Sequence, residues 1–136
     1  MSSFRGSLQS EKEEAKWTYK KEKGYQPLFG FISELGLVIG EEFRDGNIPA
    51  GAGALEFLKY CEAMIPQGKR IRHYRADSAS YQAKVINHCF DNEILFTITA
   101  DQDRGVKEAV RCVEEWRSYD KGREIAETIH TMNNTR

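Results

Sequence analysis

Apolar side chains along this chain change their period several times, and each change marks an element. From Pro27 to Ser33, Leu28, Phe29, Phe31 and Ile32 form a short apolar run that predicts a buried strand, and Leu37 to Phe43, with Val38 and Ile39, predicts a second. Gly36 between them suits a tight turn, so the two make a hairpin. Arg44-Asp45-Gly46-Asn47 reads as a turn in which Gly46 tolerates positive φ. Ala54, Phe57, Leu58, Cys61, Met64 and Ile65 then recur at three and four residues, an apolar helix face that stops at Pro66 and Gly68.

Arg70 to Ala76 alternate weakly and read as a strand that ends at Asp77. Tyr81, Val85, Ile86, Cys89 and Phe90 mark an amphipathic helix whose start Ser78 or Ser80 can cap. The β-branched run from Ile94 to Ala100 predicts a buried strand of parallel type, and Val106, Ala109, Val110, Val113 and Trp116 predict another helix. Arg123 to His130 fits helix or strand. Met1 to Lys23 is a polar lead-in, in which Glu11 to Lys16 supports one helical turn. The order strand, strand, helix, strand, helix, strand, helix predicts an α/β fold with a mixed sheet, an antiparallel hairpin at one side and two parallel strands at the other.

A length of 136 residues fits one domain, and 40% apolar with 30% charged residues excludes a disordered chain or a coiled coil. No run approaches the roughly 18 apolar residues of a membrane helix, and the N-terminus carries no signal-peptide pattern, so a cytoplasmic protein without membrane partners is expected. Cys61, Cys89 and Cys112 form no CxxC, and each falls on an apolar stripe, which predicts buried thiols rather than zinc ligands or disulfides. His73, His88 and His130 share no metal-ligand spacing. A net charge of −1 conceals two basic clusters, Lys16, Lys20, Lys21 and Lys23 against Glu22, and Lys69, Arg70, Arg72 and Arg75 with no acid before Asp77. Each is either a phosphate contact or a solvated face.

Asp77 is the residue with candidate chemistry. It stands at the end of a parallel-type strand and ahead of a helix, where open α/β sheets place functional groups, so its carboxylate is either a divalent-metal ligand or a cap. Around it, in order, come Thr18-Tyr19-Lys20, Lys23-Gly24-Tyr25-Gln26-Pro27-Leu28, Arg44-Asp45-Gly46-Asn47, Arg75-Ala76-Asp77-Ser78-Ala79 with Tyr81-Gln82, and Arg123-Glu124-Ile125-Ala126-Glu127-Thr128. From Lys12 onward this set resembles the DDE transposases of bacterial insertion sequences, in the group with a long insertion after the fifth strand of an RNase-H-like core. The resemblance divides the chain into a lead-in (1–23), a partial RNase-H-like core (24–118) and the start of the insertion (119–136).

The resemblance implies metal-dependent DNA cleavage and strand transfer, with three carboxylates holding two Mg2+ (or Mn2+) ions about 4 Å apart. Asp77 matches the second carboxylate. The first falls near Phe4, which is no ligand, and the third lies downstream of Arg136; Glu124 and Glu127 belong to the insertion side and are not assigned to the triad. The expectation is an incomplete RNase-H-like sheet and a transposase fragment that neither binds the metal productively nor transposes alone. Its implied partners are transposon-end DNA and full-length transposase; the alternative is a non-catalytic DNA- or transposase-binding module. Lys20, Lys23 and Arg75 are candidate phosphate contacts, Tyr25 and Tyr81 either stack on bases or pack, and Ser78 either orients Asp77 or caps. Loss of the first strand leaves unpaired sheet edges.

Overall fold

The computed structural model describes residues 15–18, 20–133 and 135, and the chain divides into two compact units, residues 1–71 and 72–136. The expected helical turn at Glu11–Lys16 and the segment around Phe4 fall, apart from positions 15 and 16, outside the described residues.

In the first unit, β1 (Lys16–Trp17) pairs antiparallel with β2 (Lys23–Gly24), a small ladder inside what the sequence presents as lead-in. The predicted hairpin follows as β3 (Leu28–Ile32) and β4 (Leu37–Glu42), with Gly36 at φ 65° in the turn and a one-residue irregularity between Gly30 and Phe31. Strand β3 is not the buried strand expected, since strand alternation leaves Phe29 and Phe31 exposed on the face away from helix α1 (Ala54–Met64). Helix α1 packs on this hairpin through Ala54, Leu58 and Cys61, spaced to share one helical face. Gly30 and Gly40 are register partners beneath it, and a Cβ at Gly40 would stand 2.9 Å from the Cys61 sulfur, so the helix sits low over two glycines.

Gly46 does not adopt the positive φ expected of it; the glycines that do are Gly36, Gly53, Gly68 and Gly122. Its reason is space, because a Cβ there would collide with the backbone carbonyl oxygens of Gly24 and Lys16. Beside it Tyr25 bridges Asp45, and the Gln26 N–H donates to the Arg44 carbonyl at 2.9 Å. The Arg44 side chain is buried and donates to three carbonyls, those of Gln26 (3.0 Å), Ala52 (2.7 Å) and Ala50 (3.4 Å), which fixes the loop entering α1.

In the second unit, β5 (His73–Ala76) runs parallel to β6 (Leu95–Ile98), joined through α2 (Ala83–Asp91) as the alternation predicts. Val85, Cys89, Ile94 and Val106 are the buried apolar residues here. The strand β6 is not buried on both faces, since Leu95 is 74% exposed; with each ladder among the described residues only two strands wide, α2 covers part of it. Helix α3 (Arg104–Arg111) starts on Asp103, whose carboxylate accepts from the Val106 N–H at 2.8 Å. It ends short of the apolar pattern, leaving Val113 and Trp116 beyond it and Cys112 exposed at its C-cap, so only two of the three thiols are buried. A hairpin of β7 (Arg117–Asp120) and β8 (Arg123–Ile125) follows, which resolves the ambiguous stretch as strand to Ile125 and neither helix nor strand from there to His130. The whole is a mixed α/β arrangement of antiparallel hairpins, one parallel pair and three helices among the described residues, consistent with an incomplete RNase-H-like fold. No helix among those residues is long and apolar enough to cross a membrane.

Candidate functional site

Strand alternation places His73, Arg75 and, one step past the strand end, Asp77 on one exposed side, while Tyr74 and Ala76 are half-buried on the other. The Thr99 N–H donates to the Ala76 carbonyl at 3.3 Å, so the exit of β6 runs beside Asp77. Asp77 is exposed, and its Oδ1 accepts from the Ala79 N–H at 3.1 Å, capping a 3-10 turn over Ser78–Ser80. Its other oxygen has no hydrogen-bond partner among the described residues. The capping role and an accessible lone pair therefore coexist in one carboxylate.

The turn after Asp77 is fixed from behind, by Tyr74 Oη and Ser80 Oγ at 3.0 Å and by Gln82 Nε2 donating to the Ala79 carbonyl at 2.8 Å. Neither Ser78 nor Ser80 caps α2: the capping residue is Gln82, without a side-chain bond to the helix, because the serines are used up inside the 3-10 turn. The Asp77 carboxylate takes its hydrogen bond from Ala79, not from Ser78.

Tyr81 is half-buried, and burial first, then the charges of Asp103 and Asp101, push its hydroxyl above the ordinary value of 10.0, so it remains a protonated donor. Sequence reasoning passed over those two aspartates. Their signal is positional, since Asp101 and Asp103 follow the second parallel strand as Asp77 follows the first. His130 returns to the start of α3, where a Cβ on Gly105 would lie 3.1 Å from the His130 ring and 3.4 Å from Asp103 Oδ1. Even so, no three His, Cys, Asp or Glu side chains among the described residues form a group able to hold a metal ion. Asp77 has the donor chemistry of one Mg2+ ligand, but the described residues do not fit a complete two-metal centre. Glu127 is an exposed partner of Arg117 at 3.3 Å, and Glu124 lies on β8 opposite Ser118.

Lys20 and Lys23 belong to the first unit, Arg75 and Tyr81 to the second, and all but half-buried Tyr81 are exposed. Tyr25 packs against Phe43 with ring centroids 4.6 Å apart, which favours packing over base stacking for that ring. Trp17, which sequence reasoning did not single out, is 63% exposed, with Lys23 Nζ 6.0 Å from its ring. A shallow cavity of about 290 Å³ on the first unit is lined by Glu41, Glu42, Glu56, Phe57 and Tyr60; its acidity is the wrong sign for phosphate.

Over residues 6–133 the chain matches the family described as transposase DDE domain group 1. It is 37% identical over 87 residues to a Mycoplasma genitalium protein named uncharacterized ATP-dependent helicase MG140, a match covering 62% of this chain and 8% of that protein. To the MG140 homolog of Mycoplasma pneumoniae it is 37% identical over 71 residues, 50% of this chain and 6% of that protein. The chain thus spans less than about a tenth of the length of these curated relatives. No solved structure matches it.

Proposed function

This chain belongs to the transposase DDE domain family, and from that premise we propose that it is a piece of a transposase core that offers Asp77 to a divalent ion and basic residues to DNA. DDE transposases act on DNA with divalent metal ions. The observation that carries the reading is the exposed Asp77 carboxylate, with one free oxygen, at the exit of a parallel strand pair inside the family match. Mg2+, or Mn2+, suits such an oxygen donor. Two dications need several oxygens in fixed geometry, and among the described residues no second or third carboxylate joins Asp77, which supports an incomplete centre as part of this reading. In this reading residues 24–118 are the partial core and 119–136 open the insertion; Lys20 and Lys23 in the first unit and Arg75 in the second meet phosphates, and the Tyr81 hydroxyl offers a hydrogen-bond donor in the same unit as Arg75. Transposon-end DNA and full-length transposase in the cytoplasm are the partners.

A supercoiled plasmid incubated with the chain and Mg2+ or Mn2+ tests this, alongside a gel shift over a salt series. The expected result is binding that weakens steeply with salt and no nicking. Nicking that disappears in Asp77→Asn would overturn the incompleteness, and no shift at low salt would overturn the DNA role. A second reading, a non-catalytic DNA- or transposase-binding module within a longer protein, is favoured by the helicase-named relatives, in which the matched segment is 8% and 6% of the length. The two part at Asp77→Asn: a core loses the activity of the longer protein that contains it, whereas a module keeps all its binding.

A further inference from the structure

We propose that the β1–β2 ribbon is a contact for unpaired DNA bases, with Trp17 as the stacking platform and Lys16, Lys21 and Lys23 on the phosphates; this rests on the DNA reading above and adds the strand state and the residues. An indole is among the costliest side chains to leave in water, yet Trp17 is 63% exposed and has no ring partner among the described residues. Tyr25, a few residues on, shows the contrast, since its ring is covered by Phe43.

The ribbon is mounted firmly. Gly46 admits the Gly24 and Lys16 carbonyls against its Cα, Tyr25 bridges Asp45, and Arg44 ties Gln26 to the loop ahead of α1. At its tip the Thr18 N–H donates to the Glu22 carbonyl at 2.8 Å and the Lys21 N–H to the Thr18 carbonyl at 3.0 Å, with Lys21 held at φ 59°, a left-handed conformation uncommon for lysine. A rigid mount lowers the ordering cost of binding.

Charge selects the ligand. Between positions 16 and 24, Lys16, Lys20, Lys21 and Lys23 outnumber one acid, Glu22, a local excess of positive charge in a chain whose net charge is −1. Lys23 is the cross-strand partner of Trp17, its ammonium over the ring at 6.0 Å from the centroid, which brings a cation to the aromatic surface. That combination is how proteins hold single strands, with bases on rings and backbone on cations. In a duplex the base faces are stacked on one another, out of reach of a lone surface indole.

Trp17 and Trp116 are the two tryptophans, so Trp116→Phe makes Trp17 the sole indole reporter. Its emission is followed while the full chain is titrated with oligo(dT) or a duplex of equal length, at low salt in EDTA. Oligo(dT) is expected to quench it. By gel shift, which needs no indole, Trp17→Ala should weaken oligo(dT) binding roughly 5- to 100-fold and Trp17→Phe far less, with duplex binding changed by no more than about twofold. Replacing Lys16, Lys21 and Lys23 by Gln should reduce the slope of log K against log salt by about 2. Absence of quenching, equal oligo(dT) affinity for Trp17→Ala, or equal quenching by the duplex would each overturn the proposal. If salt-sensitive binding survives those results, the DNA reading stands without this ribbon; if neither form of DNA binds, both fall. Should Trp17→Ala fail to fold, quenching and the Trp17→Phe variant still decide.

Discussion

At position 46 the backbone leaves no room for a side chain, and at position 36 it leaves ample room but the wrong φ, so the two glycines separate steric from conformational demand. A Cβ on Gly46 meets carbonyl oxygens of two chain segments, neither of which is a flexible side chain able to swing away. A Cβ on Gly36 meets nothing within 4 Å, and only its φ of 65° resists substitution. Gly36→Ala should therefore cost about 1 kcal/mol and Gly46→Ala about 3 kcal/mol, read from urea midpoints at constant m. Equal costs would mean that the β1–β2 ladder yields easily. Tyr81 supplies a pH handle in the other unit. Burial, then Asp103 and Asp101, raise its hydroxyl above 10.0 in the folded chain. Its contribution is thus complete below the unfolded value and lost as pH rises through the folded one. Tyr81→Phe should flatten the fall in urea midpoint on the alkaline side of pH 10.0 and leave the midpoint's pH dependence near neutrality unchanged.

Helix α2 ends as an element should, with a left-handed residue closing it, but that residue is Glu93 rather than glycine. Glu93, at φ 55°, donates to the Phe90 carbonyl at 3.2 Å, and Ile94 donates to the Cys89 carbonyl at 2.8 Å, with Ile94 and Cys89 both buried. This is the Schellman pattern, which glycine fits without Cβ strain. Glu93→Gly should stabilise the chain by about 1 kcal/mol, measured as an upward shift of the melting midpoint; a downward shift would show that the Glu93 side chain contributes more than its backbone costs. Helix α1 was legible in the sequence because its apolar residues repeat with the helical period and that face is covered, and the β3–β4 hairpin because short apolar runs flank Gly36, although Phe29 and Phe31 stay exposed. The β7–β8 hairpin was not, because Arg117, Ser118, Tyr119 and Asp120 are all exposed, so no apolar period marks it, and its turn is set by Gly122 and by the Asp120 carboxylate accepting from the Lys121 N–H. The reverse failure occurs at α3, where Val113 and Trp116 keep a helical period past the point at which burial stops supporting it. Asp77 was legible as a candidate from its strand-exit position and neighbouring motif; Asp101 and Asp103 carry the same positional signal, to which the structure adds their charge on Tyr81, whereas Trp17 stands alone in a polar stretch.

Across the molecule, burial is divided between two small cores, Ala54, Leu58 and Cys61 in one unit and Val85, Cys89, Ile94 and Val106 in the other. Cores of this size leave stability low enough that any ligand specific to the folded state registers as a shift in melting temperature. A complete divalent-ion centre saturated a hundredfold above its Kd would add about 2.7 kcal/mol, worth more than about 10 °C for units of this length. A lone exposed carboxylate cannot do this, because one oxygen ligand leaves the ion bound chiefly by water. With no three-ligand group among the described residues, thermal unfolding in excess Mg2+ should match unfolding in EDTA to within about 1 °C, and Asp77→Asn should leave that equality untouched. A rise of several degrees in Mg2+ that Asp77→Asn abolishes would mean that this polypeptide gathers further oxygen ligands around Asp77 after all.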